Sequence, residues 1–141
     1  MRTTRKMAAV IGELAAQRQF SLTTPDRSLV LYNEPFTRLV IGVEAPYLVS
    51  VAHRPITLPH QDPVSDPDML FYTGDPAAWV PVEITLITGS YQQAAVLEDG
   101  QISGIFPRAL ADLVSFADLW AQNLRDQGWL ADATSLDPAD A

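Results

Sequence analysis

A chain of 141 residues, 48% of them hydrophobic, suits one domain with one core, and no apolar run approaches the roughly 18 residues of a membrane-spanning helix. The lack of cysteine excludes disulfides, thiolate metal sites and a cysteine nucleophile, and two histidines are too few for a histidine-rich metal centre. The net charge of −8 is segregated, with +3 on residues 1–59 and −11 on residues 60–141, which disfavours direct duplex nucleic acid binding.

Thr3 or Thr4 can cap a first helix over roughly residues 3 to 18, in which Met7, Ile11, Leu14 and Ala15 share one apolar face. The short run Met7 to Ile11 stops at Gly12-Glu13, too early for a secretory signal, so a cytoplasmic location is expected. A β-rich middle follows. Segments 28–32 and 37–43 flank the hairpin loop Asn33-Glu34-Pro35-Phe36, and 47–53 forms a third strand. Pro55, Pro59, Pro63 and Pro67 make residues 54–68 an extended surface loop, because each proline removes a backbone donor and restrains its predecessor. Strands are expected over 69–72 and 79–87, and Tyr91–Leu97 should pair with Gln101–Ile105 across the Asp99-Gly100 turn.

The clearest helix runs from about Pro107 to Gln127. Leu110, Leu113, Val114, Ala117, Trp120, Ala121 and Leu124 form its apolar stripe, and Gly128 is placed to cap its end. Residues 1–130 thus read as a single α+β domain, an antiparallel sheet of five to seven strands packed by an N-terminal and a long C-terminal helix. Residues 131–141 read as an acidic, loosely ordered tail.

Val51-Ala52-His53, Ser65-Asp66-Pro67-Asp68-Met69-Leu70-Phe71, Trp79-Val80-Pro81, Tyr91 and the ending Phe116-Ala117-Asp118-Leu119-Trp120-Ala121-Gln122-Asn123-Leu124-Arg125-Asp126-Gln127-Gly128-Trp129 form a pattern. It resembles a family of small uncharacterised bacterial proteins, known as a domain of unknown function and often encoded on plasmids and integrative elements. The resemblance covers about residues 47 to 130. It implies an α+β layout and a mobile-element context, and it implies no reaction.

Two sets of residues are candidates for function. His53, His60, Asp62, Asp66 and Asp68 offer imidazole and carboxylate donors of the kind that hold a divalent metal, which could activate water for hydrolysis. Turn chemistry accounts for Asp66-Pro67-Asp68 more simply, since aspartate before proline starts turns and a proline loop does not fix ligand geometry. The second set, Asp112, Asp118, Asn123, Asp126, Gln127 and Trp129, is expected to contact a protein partner. Asn123 and Gln127 share a helical face, and Trp129 lies beyond the capping glycine, where an aromatic can anchor an interface. No Gly-x-Ser-x-Gly elbow and no phosphate-cradling glycine loop is present, and no cofactor is expected.

The leading expectation is therefore a non-enzymatic accessory or regulatory protein whose acidic surface binds a basic partner. One version is a nucleic-acid-handling or defence protein, contacted through mimicry of phosphate charge. The alternatives are a metal-dependent hydrolase using the His53–Asp68 loop and a structural subunit of a homo-oligomer. Acidic side chains that serve only solubility give the same composition.

Overall fold

The computed structural model describes residues 1–55 and 66–135. Its main sheet is an antiparallel meander. Strands β1 (Arg27–Asn33), β2 (Phe36–Ala45), β3 (Leu48–His53), β4 (Asp68–Tyr72), β5 (Val80–Thr85) and β6 (Tyr91–Gln93) each pair with their predecessor. β7 (Ala95–Glu98) and β8 (Gln101–Ile105) form a separate ribbon, and the two-residue β9 (Thr134–Ser135) pairs with β1, completing a seven-stranded sheet. Helices α1 (Arg5–Gln17) and α2 (Pro107–Asp126) pack against each other, and the single turn α3 (Trp129–Asp132) follows α2. The α+β layout agrees with the sequence reading.

Alternation along the strands decides which sheet face the helices cover. Leu31, Leu39, Ile41, Val49, Val51, Met69, Phe71 and Ile84 join a buried cluster with Met7, Val10, Ile11 and Leu14 of α1 and Leu110, Leu113, Ala117 and Leu124 of α2. Thr4 caps α1 by accepting from the Met7 amide, and its hydroxyl donates to Asp118 on α2 at 2.7 Å. The same residue forms a backbone bridge to Trp79, which ties the start of α1 to the entry of β5.

Two local features depart from the sequence reading, and one agrees with it. The expected strand 91–97 divides at Ala94, whose amide donates to Val82 while its carbonyl accepts from Phe106, so the chain leaves the main sheet there. The Asp99-Gly100 turn does close the β7–β8 hairpin, with both residues at positive φ as a tight hairpin turn requires. Residues 131–135, expected to begin a tail, continue the fold. Gln17 Nε2 donates to the Leu130 carbonyl and Arg18 Nη2 to the Ala133 carbonyl, which seats β9 beside β1. The remaining tail residues, 136–141, lie outside the described residues.

Candidate functional site

The end of α2 is turned back by Gly128, which holds φ at +81° in the left-handed region that glycine enters without a Cβ penalty. The reversal brings Trp129 under the helix it follows. Trp129 is 0% exposed, and its indole N–H donates to Gln127 Oε1 at 3.1 Å. Asn33, buried in the β1–β2 hairpin, donates through Nδ2 to the Gln127 carbonyl at 2.9 Å and so satisfies a helix-end acceptor. The expectation of Trp129 at a contact surface is thus corrected: the left-handed turn folds it inward.

His53 ends β3 with the same parity as Val49 and Val51, so its ring lies on the helix-covered face. The imidazole sits between two indoles, 5.5 Å from Trp120 and 5.8 Å from Trp129, tilted 48° to each. Phe116 extends this aromatic series, meeting Trp120 edge-on at 6.3 Å. Nδ1 lies 3.0 Å from the Thr37 carbonyl, an acceptor only, so Nδ1 carries the proton. Burial lowers the His53 pKa below 6.5, outweighing the opposing effects of the Thr37 and Arg38 backbone and of the Asp66 charge.

A groove of about 240 Å³ opens above this series, lined by His53, Pro67, Phe116, Leu119, Trp120, Asn123 and Gln127. Every lining residue belongs to the pattern on which the resemblance rests. Leu119 is 63% exposed and Phe116 37%, so two large apolar side chains stand at the groove beside an exposed Asn123 amide. Among the described residues the lining holds one titratable group, the His53 imidazole, and no hydroxyl, amine or carboxylate. This suits capture of an apolar group better than bond making.

The two candidate sets separate differently. Asp112, Asn123 and Asp126 are exposed on α2, and Gln127 lines the groove, although its Oε1 is engaged with Trp129. Asp118 lies on another side of α2 and accepts from Thr4, a link within the fold. Of the metal set, His60 and Asp62 lie outside the described residues. His53 faces the helices, whereas Asp68 shares the parity of Leu70 and Tyr72 on the opposite face and pairs with Arg54 at 3.4 Å. Asp66 accepts from the Ile87 amide. Among the described residues no group of three or more His, Cys, Asp or Glu is placed to hold a metal ion.

The His53 environment gives a signed pH dependence. The unfolded chain takes up a proton near pH 6.5 that the folded chain rejects, so the His53 contribution is fully present above 6.5 and is lost as pH falls through the lower folded pKa. The melting temperature should decline between about pH 7.5 and about pH 5.5 more steeply than in the variant His53→Gln. An imidazole NMR titration with its midpoint at or above 6.5 would contradict this.

A family model described as Domain of unknown function (DUF6908) matches residues 6–130. No curated protein and no solved structure matches the chain. Among the described residues no helix is long and apolar enough to cross a membrane.

Proposed function

Because the chain belongs to the DUF6908 family, whose function is unknown, no activity comes with its membership, and from the geometry we propose a non-enzymatic accessory protein that binds a protein partner through α2 and the His53 groove. The observation that carries this reading is a stripe on the exposed side of α2. Asp112, Phe116, Leu119, Asn123 and Asp126 follow one another at steps of four and three residues, which places them along one helical face. Carboxylates stand at both ends of the stripe and apolar side chains at its middle. The matching occupant is a partner segment with a large apolar side chain for the groove and basic residues on either side. In this reading the chain works in the cytoplasm of a bacterium as a mobile-element product, and the partner is a basic nucleic-acid-handling or defence protein.

The test is affinity capture by the tagged chain from nuclease-treated lysate of its source organism, at low and high salt. Leu119→Asp and the double variant Asp112→Lys with Asp126→Lys are run in parallel. A stoichiometric partner should be held by the wild type, released by salt, and weakened at least about tenfold by each variant. These positions are exposed, so melting temperatures should stay close to wild type. Retention unaffected by both variants would end the proposal. Reversing Asp118 is not informative, because it would break the Thr4 link.

A further inference from the structure

On a strongly acidic chain, three of the nine basic residues meet in one place. Arg18 at the end of α1, Arg27 on β1 and Arg38 on β2 border a groove of about 570 Å³. The ion pairs among the described residues, Arg54–Asp68 and Arg125–Glu13, involve none of the three. Guanidinium groups carry five N–H donors each. Arg18 directs two to Gln17 and the Ala133 carbonyl and Arg38 one to the Arg54 carbonyl, while Arg27 has no such bond among the described residues.

The groove is also lined by β1 itself, at the consecutive residues Arg27, Ser28, Leu29 and Val30. Successive strand side chains point to opposite faces, so four in a row can border one groove only if it runs along the strand's edge. That edge is open. β2 covers one side of β1, and on the other β9 pairs only with Leu31 and Tyr32. Alternate N–H and C=O groups of Arg27–Val30 therefore face the groove without a neighbouring strand among the described residues.

We propose that this edge is a second binding surface, which takes an extended acidic peptide segment as an added strand on β1, its carboxylates held by Arg18 and Arg27. Main-chain hydrogen bonds supply the ladder, and guanidinium–carboxylate pairing selects the sequence. Net charge does not prevent this, because a Debye length of about 8 Å at physiological salt leaves the local arginines to dominate at contact.

The experiment titrates the isotope-labelled full chain with a Glu-Val repeat peptide, followed by amide NMR, with affinity from a fluorescent copy of the peptide. Amide shifts should concentrate at Arg27–Val30. Arg27→Glu should weaken binding at least about tenfold, and so should N-methylation of alternate peptide amides, while Leu119→Asp should leave it unchanged. Equal binding of the N-methylated peptide would overturn the proposal, because charge alone would then suffice. Shifts centred on α2, competition by ATP with the same amides, or no binding would each overturn it. So would binding that appears only in a chain carrying Asp137→Asn and Asp140→Asn, which would identify the chain's own residues as the occupant.

Discussion

Trp129→Ala is expected to destabilise the protein by about 3–5 kcal/mol, the range for emptying a fully buried aromatic site. For a chain of this size that corresponds to a fall of about 10–15 °C in melting temperature. The loss has three parts: the indole volume, the N–H bond to Gln127, and the contact that holds the His53 ring from one side. Trp129→Phe separates them, because it keeps most of the volume and removes the donor, and it should cost about 1–2 kcal/mol. Urea denaturation of both variants, with equal slopes, checks the ranking. A loss below about 1 kcal/mol for the alanine variant would show that this tryptophan is not part of the packed core.

The second large effect belongs to Gly128. A Cβ built there lies 2.6 Å from Asp132 Oδ2, the mobile end of a side chain, but the φ of +81° penalises any L-residue whatever the space. Gly128→Val should cost about 2 kcal/mol or more, Gly128→Ala about 1–2, and Gly128→Asn less, since asparagine enters the left-handed region most readily of the three. The expected order Asn, Ala, Val is the test. A flat series would mean that the turn relaxes without disturbing Trp129. Because Gly128 sets the direction in which Trp129 leaves α2, Gly128→Val and Trp129→Ala should be less than additive in the double variant.

These two positions mark where the sequence was readable and where it was not. The apolar stripe of α2, the Thr4 cap, the meander and the Asp99-Gly100 hairpin follow from local periodicity and turn chemistry, and all are present. The capping role of Gly128 was equally legible. Its consequence was not, because a left-handed residue reverses the chain by an amount that spacing alone does not reveal, and Trp129 looked free for an interface. The division at Ala94 was hidden because its partners, Val82 and Phe106, lie on other segments. Of the groove, Asn123 and Gln127 were legible from their helical spacing. Its joining to His53 and Pro67 is a matter of sheet register against helix position, which no single segment encodes.

The order of the sheet also bears on how the protein comes into being. β1 to β6 are linked by neighbour pairing, so the meander can assemble in the order in which it leaves the ribosome, with little loop-closure entropy at each step. Its apolar face is covered on that side by α2, which is synthesised afterwards, and the last strand, β9, must return to the first. A nascent chain ending before Pro107 would therefore display Val49, Val51, Met69 and Phe71 with only α1 to shield them. The apolar face of the sheet thus stays partly uncovered until α2 is made, and completion of the core waits on the C-terminal end of the chain.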